Sequence, residues 1–199
     1  MAEKYTSKGA NISGCGRYRY RLWREWRSSA KPEHWAWLTD ELGRSVNDGA
    51  GHPLGTPKSA VFIMLNPSTA DGELDDPTIR RCVGFAKSWG YDRLDVLNLF
   101  AYRTRNPNEL LSLTHDDDPV GPQNRATFRS LLENDDTLGR PIGKIICAWG
   151  NHGRYINQDE TVLGWLGDYP RYALRISQGG NPSHPLYLPA ASKLVEFRP

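Results

Sequence analysis

The chain has 199 residues, a formal net charge of +2 and three cysteines. This length suits one domain with a core that needs no disulfide or metal staples, and the small net charge excludes a histone-like binder. The cysteines share no metal-ligand spacing, and no apolar run is long enough for a signal segment or a membrane span. We therefore expect a cytoplasmic, monomeric protein without a cofactor.

The N-terminal region divides into an arm and the start of the domain. Residues 1–16 are rich in Gly and Ser and predict a flexible arm, so that a single domain covers residues 17–199. The first segment of that domain, RYRYRLWREW, alternates like a strand. Its arginines, Arg19 and Arg21 among them, either contact nucleic-acid phosphates or face solvent on an edge strand whose aromatics are buried. A short helix or turn is predicted at residues 35–42.

From Ala60 the pattern indicates a buried strand followed by a helix. AVFIML is a continuous apolar run, which is typical of a central strand covered on both faces. Asp76 is a good N-cap and Pro77 suits the first helical position. Apolar residues then recur at helical spacing until Gly90, which is expected to end the helix.

The rest of the chain alternates between strands and helices. Strands are predicted at RLDVLNLF, KIICAW and YALRIS, and helices at NPNELLSL, at PVGPQNRATFRSLLENDD and over Thr161 to Leu166. This alternation predicts an α/β fold, a three-layer α/β/α sandwich with a central parallel sheet.

Polar residues follow four of the predicted strands, where open α/β sheets bind ligands. They are Asn66-Pro67-Ser68, Asn98, Trp149-Gly150-Asn151-His152 and Ser183-His184-Pro185. Since the carboxyl ends of parallel strands share one edge, we expect these segments to converge. Asn98 is the most telling of them, because an amide within an apolar strand costs stability unless it is satisfied.

No standard motif accounts for these residues. The chain contains no GxGxxG after a strand, no GxxxxGK[ST], no GxSxG and no HExxH. The acidic run from Asp71 to Asp76 departs from the EF-hand spacing, so no metal site is expected there.

The same residues carry a family resemblance. LNPS, VLNLFAYRT, CAWG and SHPLYLP resemble four short blocks of the uracil-DNA glycosylase superfamily. More closely, NPSTAD, DDPTIRR, GYDRLDVLNLFAYR, DPVGPQN, CAWGNHG and HPLYLP resemble the family called domain of unknown function 1643, over roughly residues 17–197. The remote resemblance implies a uracil-DNA glycosylase-like fold and cleavage of an N-glycosidic bond.

The remote resemblance also implies residue roles, which we carry over position by position. As catalytic residues, Asn66 would orient water, Asp71 would assist as a carboxylate and His184 would donate to the departing base. Asn98 would read the base edge, and Trp149 would either stack on a flipped base or cap the core. The remaining expected contacts are Pro67, Ser68 and Gly150 to the base, and Arg103 and Arg105 to DNA phosphates.

This sequence departs from the glycosylase pattern at two places. Leu186 replaces the small polar residue of the terminal HPS loop, and Ser68-Thr69-Ala70 stands where a base-stacking aromatic is usual. These departures put uracil as the substrate in question.

Four functions are therefore compared. The first is a DNA glycosylase acting on a damaged, deaminated or modified base. The second is an enzyme that uses the same crevice on free nucleosides or nucleotides, and the third is a non-catalytic nucleic-acid-binding module. The fourth, which the modest net charge keeps open, is a small-molecule-binding α/β protein unrelated to nucleic acids.

Overall fold

The structure is a computed structural model that describes residues 5–26, 58–133 and 142–199. The helix or turn predicted at residues 35–42 lies outside the described residues. Within them, no helix has both the length and the apolar character needed to cross a membrane.

Seven strands form one mixed sheet in the order β1-β2-β4-β3-β5-β6-β7. The four inner strands β4, β3, β5 and β6 are parallel, whereas β1, β2 and β7 run antiparallel to their neighbours. The strands are β1 Ser7–Ile12, β2 Arg19–Glu25, β3 Ser59–Met64, β4 Arg93–Asn98, β5 Ile142–Cys147, β6 Arg171–Ala173 and β7 Val195–Glu196.

The central strands align their carboxyl ends. All residues of β3 and β4 are buried, as their apolar runs predict. In the parallel register Met64 of β3 lies beside Asn98 of β4, and Ile63 lies beside Cys147 of β5. The loops that follow these strands therefore start from the same edge of the sheet.

Helices cover both faces of the sheet. The α-helices are α1 Pro77–Ser88, α2 Pro107–Ser112, α3 Asn124–Leu132 and α4 Gln158–Leu166, and 3-10 helices span His115–Asp117, Gly150–Asn157 and Pro185–Tyr187. Helix α1 packs on the face that carries Phe62, Met64 and Val96. Helices α2, α3 and α4 pack on the opposite face. The α/β class and its layering of helix, sheet and helix are thus confirmed.

Helix α1 begins and ends where the sequence predicts. The Asp76 side chain accepts a hydrogen bond from the Ile79 backbone N–H at 2.8 Å, and Pro77 occupies the first turn. After the helix, Gly90 adopts a φ of +78°, a conformation that favours glycine.

Three expectations are corrected at the edges of the fold. Residues 7–12 of the predicted flexible arm form β1, which pairs with β2 along its length. The sheet is parallel only in its middle, because β1, β2 and β7 enter as antiparallel neighbours. Helix α3 begins at Asn124, later than predicted, because Gly121 at a φ of +87° belongs to the preceding turn.

Candidate functional site

A cleft of about 620 Å³ opens at the carboxyl ends of the parallel strands. The loops after β3 and β5, the end of β4 and the segment after β6 all contribute to it, so the predicted convergence is confirmed. Eight of the predicted site residues line it, namely Arg19, Asn66, Ser68, Asn98, Arg105, Trp149, Gly150 and His184. The other four do not, namely Arg21, Pro67, Asp71 and Arg103.

Asn98 is a buried polar residue in the wall of this cleft. The residue is 1% exposed, and neither Oδ1 nor Nδ2 of its carboxamide has a hydrogen-bond partner among the described residues. Met64 and Val96, which also line the cleft, are its apolar neighbours on the sheet. Leaving such an amide unsatisfied costs stability. The arrangement is therefore explained by a group that enters the cleft and completes the hydrogen bonds.

The backbone at the end of β4 is fixed from the opposite side of the sheet. Asn124 at the start of α3 donates from Nδ2 to the carbonyls of Asn98 and Leu99, at 3.1 and 3.0 Å. Gln158 at the start of α4 donates to the Leu99 carbonyl at 3.1 Å. Sequence reasoning missed these two supports, although Asn124 lies in the DPVGPQN block. They hold the strand end that carries the Asn98 side chain.

Asn66 is held in one orientation by its amide nitrogen. Nδ2 donates to the Thr104 carbonyl at 2.9 Å and to the Pro67 carbonyl at 3.1 Å. This pattern identifies the other amide atom as the acceptor Oδ1, which makes no hydrogen bond among the described residues. Asn66 therefore brings a free acceptor to the lining of the cleft.

His184 is a half-buried imidazole at the start of the last 3-10 helix. Its Nδ1 accepts a hydrogen bond from the Leu186 backbone N–H at 3.3 Å, so a neutral ring carries its proton on Nε2. Burial lowers the pKa of His184 from its ordinary value of 6.5, and the nearby Asp76 carboxylate opposes that shift. At neutral pH the side chain is thus a neutral N–H donor.

The carboxylate of the site is Asp76, whereas Asp71 was the residue predicted. Asp71 Oδ1 accepts from the backbone N–H groups of Glu73 and Leu74, both at 2.8 Å, and these bonds lower its pKa. Asp71 closes its loop and does not line the cleft. Asp76 does line it, and its place as N-cap of the helix after β3 was the sequence signal that could have identified it.

Trp149 packs in the core, so the core-capping alternative is the one the structure favours. The residue is 2% exposed, and its ring lies edge-on to Phe197 with centroids 5.8 Å apart. A Cβ on Gly153 would lie only 2.1 Å from Trp149 Cδ1, so the indole lies directly against the Gly153 backbone. This packing leaves no open ring face for stacking on a base.

Tyr187 is the aromatic that is open to solvent at the cleft. It is 84% exposed, lines the cleft and has its ring centroid 6.1 Å from that of His184. Sequence reasoning sought a stacking aromatic after the first motif and missed this one. Its position in HPLYLP, three residues after His184, was the available signal.

Of the arginines predicted to contact phosphate, one is exposed and the other three bond to groups of the protein. Arg105 is exposed at the cleft. Arg21 pairs with the Asp95 carboxylate at 2.9 Å, and Arg103 donates to the Gly16 carbonyl at 3.1 Å. Arg19 is buried and donates to the Ala70 carbonyl at 2.7 Å. Of these four residues, Arg105 alone is exposed, and Arg175, which was not predicted, joins it on the cleft wall.

The edge-strand alternative for the arginine-rich segment is wrong. Strand β2 lies between β1 and β4, so it is not an edge strand. Arg24 is fully buried and pairs with Asp75 at 2.7 Å, so it neither faces solvent nor presents a cation to nucleic acid. The alternation in the sequence therefore marks an inner strand, in which Arg21 and Arg24 pair with carboxylates of the protein.

A second hollow of about 750 Å³ lies between the ends of α3 and α4. It is larger, but none of the predicted site residues lines it. None of the buried polar atoms that lack a partner in the described part of the chain lines it either. The chemistry is therefore assigned to the cleft at the strand ends. Within the described ranges, no group of three or more metal-ligating side chains occurs.

Comparison with known proteins gives a family and no characterised relative. Residues 51–186 match the family model described as "Protein of unknown function (DUF1643)". Curated proteins and solved structures give no match to the chain.

Proposed function

The chain belongs to the DUF1643 family of unknown function, and we propose that it recognises nucleobases in a uracil-DNA glycosylase-like fold. In this proposal it acts as a DNA glycosylase, which hydrolyses the N-glycosidic bond of a damaged, deaminated or modified base flipped out of DNA. The observation that carries the proposal is the buried Asn98 carboxamide, whose donor and acceptor both lack partners among the described residues beside the cleft.

A nucleobase supplies the groups that Asn98 lacks. A carboxamide offers a donor and an acceptor in one plane. The ring edge of many bases places a carbonyl beside an N–H in the same plane, so the two groups pair through two hydrogen bonds. The apolar side chains of Met64, Ile79 and Leu188 line the same cleft and suit the faces of a flat ring.

Asn66 and His184 would act in the hydrolysis itself. The bond between the sugar carbon and the base nitrogen breaks, and the base leaves with the electron pair while the sugar becomes oxocarbenium-like. Asn66 Oδ1, the acceptor left free, would hold the water that adds to the sugar carbon, and the proton that this water loses passes through solvent to the nitrogen of the departing base anion. His184, a neutral donor through Nε2, would hydrogen-bond the oxygen on which the departing base carries its negative charge.

The family resemblance supports this proposal because the four similar blocks contribute residues to the same cleft. The blocks LNPS, VLNLFAYRT, CAWG and SHPLYLP are distant in the chain, yet residues from each line one cleft. Tyr187 offers the exposed aromatic ring that the first motif lacks, and stacking on a flipped base is its proposed role.

A second candidate uses the same chemistry on free nucleosides or nucleotides. The observation that favours it is the state of the arginines, because Arg19 is buried in the cleft and Arg21 pairs with Asp95, so neither belongs to an exposed surface for DNA phosphates. A small substrate needs no such surface.

The test is the formation of abasic sites in labelled oligonucleotides that carry uracil, hydroxymethyluracil, hypoxanthine or other modified bases. Base release is read by alkaline cleavage for wild type, Asn66→Ala and His184→Ala, with Asn108→Ala as the control at an exposed asparagine that does not line the cleft. We expect release that both site substitutions abolish and that the control retains. Release from free nucleosides but not from oligonucleotides would transfer the function to the second candidate. No release from either substrate class would contradict both.

A further inference from the structure

Arg19 is a buried cation without a counter-ion among the described residues. It is 3% exposed and lines the cleft. Nη1 donates to the Ala70 carbonyl, while Nε is buried with no hydrogen-bond partner in the part of the chain that the structure describes. No carboxylate of those residues forms an ion pair with it. One bond to a neutral carbonyl does not compensate a guanidinium that has been removed from water.

The surroundings of Arg19 further disfavour its positive charge. Burial lowers the pKa of Arg19 to about 10, and the positive charges of Arg103 and Arg24 act in the same direction. Asp76 and Asp71 favour the charged form but do not ion-pair with it. At neutral pH the side chain is still protonated, so the uncompensated charge persists.

A β-bulge turns Arg19 toward the cleft. The pairing of β1 with β2 passes from Asn11 and Arg21 to Ile12 and Arg19, so Tyr20 is skipped. This extra residue brings Arg19 to the same face of the strand as Arg24. The sequence spacing alone would place the two side chains on opposite faces.

Arg24 shows how this fold treats an arginine whose role is structural. Its Nε pairs with Asp75 Oδ1 at 2.7 Å, and its terminal nitrogens donate to the carbonyls of Gly9, Trp23, Asp71 and Leu74. Arg19, five residues away on the same strand, has neither a carboxylate nor a set of carbonyls. Its place in a cleft wall, together with unpartnered Asn98, indicates that the missing partner comes from a ligand.

We infer that Arg19 is an anion-binding subsite, and that the ligand of this cleft carries an anionic oxygen group that pairs with the Arg19 guanidinium. The group is either a carboxylate on the base or the phosphate of a free nucleotide. The identity of the ring rests on the proposed function, whereas the anion subsite follows from Arg19 itself.

A phosphate of a DNA backbone does not fit this subsite. When a flipped base fills the cleft, the backbone of its strand stays outside, where the exposed residues Arg105 and Arg175 lie. Arg19 is buried, so the anion that reaches it must enter the cleft with the base or as part of a small ligand.

Pairs of ligands that differ only in the anionic group test the subsite. The pairs are uracil with uracil-5-carboxylate, cytosine with cytosine-5-carboxylate, and uridine, cytidine and inosine each with its 5′-monophosphate. Binding to the full chain is measured by isothermal titration calorimetry. We expect the anionic member of at least one pair to bind about tenfold tighter or more, because hydrogen bonds to charged groups are strong. A preference in the carboxylate pairs or in the phosphate pairs identifies the source of the anion.

The preference should depend on Arg19. We expect Arg19→Met to abolish it and Arg125→Met, which removes an exposed arginine on α3, to retain it. If circular dichroism shows that Arg19→Met is unfolded, the wild-type comparison decides alone. Equal binding of both members in every pair, or no binding of any, would overturn the inference.

The same preparations separate this inference from the proposed function. Base release without any preference for anionic ligands would overturn the subsite and leave the glycosylase proposal standing. A preference for anionic ligands that Arg19→Met abolishes, without base release from any substrate, would support the subsite and contradict the glycosylase proposal.

Discussion

Two buried polar regions lie on the same face of the sheet and differ in how completely their hydrogen bonds are made. Around Arg24, a carboxylate and four backbone carbonyls surround the guanidinium. Around Asn98 and Arg19, the cleft contains a carboxamide without partners and a guanidinium with one, among the described residues. The first region stabilises the fold by itself. We propose that a ligand completes the second, and that this difference separates the structural region from the functional one.

The Arg24 region also holds a loop that contributes residues to the cleft. By donating to the Asp71 and Leu74 carbonyls, Arg24 ties the loop after β3 to strand β2. That loop carries Asn66 at its start and Asp76 at its end. The Arg24 network therefore holds the loop that brings the free acceptor of Asn66 and the carboxylate of Asp76 to the cleft.

Removal of the carboxylate in the satisfied region should have the largest effect. Asp75→Ala leaves Arg24 as an unpaired buried charge, and we expect a loss of about 3 to 5 kcal/mol in the free energy of unfolding. Urea denaturation measures this loss. Asp116→Ala, at an exposed carboxylate, is the control and should change the free energy by less than about 0.5 kcal/mol. A loss below about 1 kcal/mol for Asp75→Ala would show that the Arg24 ion pair contributes little to stability, and would contradict the structural role given to this region.

The opposite pattern is expected at Asn98. Asn98→Leu breaks no hydrogen bond among the described residues, so the free energy of unfolding should change by less than about 1 kcal/mol. Base release or base binding should fall by about 10- to 100-fold, because a bidentate pair with the base is lost. The two quantities are measured on the same preparation. A large loss of stability with unchanged binding would show that Asn98 has a structural role.

Tyr187 tests the proposed stacking at the open end of the cleft. Tyr187→Ala should weaken binding by about tenfold, in line with about 1 to 3 kcal/mol for stacking on one base. Its exposed side chain should leave the thermal midpoint of unfolding unchanged. Tyr187→Phe, which keeps the ring, serves as the control and should bind like wild type. Equal binding by all three proteins would exclude a stacking role.

The smallest predicted effect is that of pH: the rate of base release should stay nearly constant around neutral pH. Burial lowers the pKa of His184 below 6.5, so the neutral ring persists on the acid side of that value. Protonation would add an N–H at Nδ1, where it would face the Leu186 N–H and displace the ring that carries the Nε2–H donor, so base release falls only as the pH drops through this lowered pKa. Rate measurements across the acid range, together with NMR titration of the His184 ring, check this order. A decline that begins above pH 6.5 would contradict the assigned protonation state.

The sequence predicted the regular parts of the fold because those parts depend on local patterns. The apolar run of β3, the cap at Asp76 and the stop at Gly90 each rely on neighbouring residues. Strand β1 was missed, because its Gly- and Ser-containing segment carries no hydrophobic pattern and is stabilised by pairing with β2. The short strand β7 was missed as well, since both of its residues are exposed.

The convergence at the cleft was also predictable, whereas the partners of individual polar side chains were not. Parallel strands bring their carboxyl ends together, so Asn66, Asn98 and His184 could be placed at one edge. The pairing of Arg24 with Asp75 joins residues far apart in the chain, and no local pattern indicates it. The loop-closing bonds of Asp71 were likewise not predictable, whereas the N-cap position of Asp76 was a local signal that could have placed it at the cleft.

The most direct test of whether a ligand completes the hydrogen bonds of the cleft is to observe the Asn98 side-chain amide while a ligand is added. In ¹⁵N-labelled protein, the Asn98 amide signal is assigned by its loss in Asn98→Leu, and the Asn124 amide, which is already hydrogen-bonded, is the internal control. We predict that nucleobases and nucleotides shift the Asn98 signal and leave the Asn124 signal in place. Binding that leaves the Asn98 signal unchanged, or no response to any of these ligands, would contradict the assignment of this cleft as a base-recognition site.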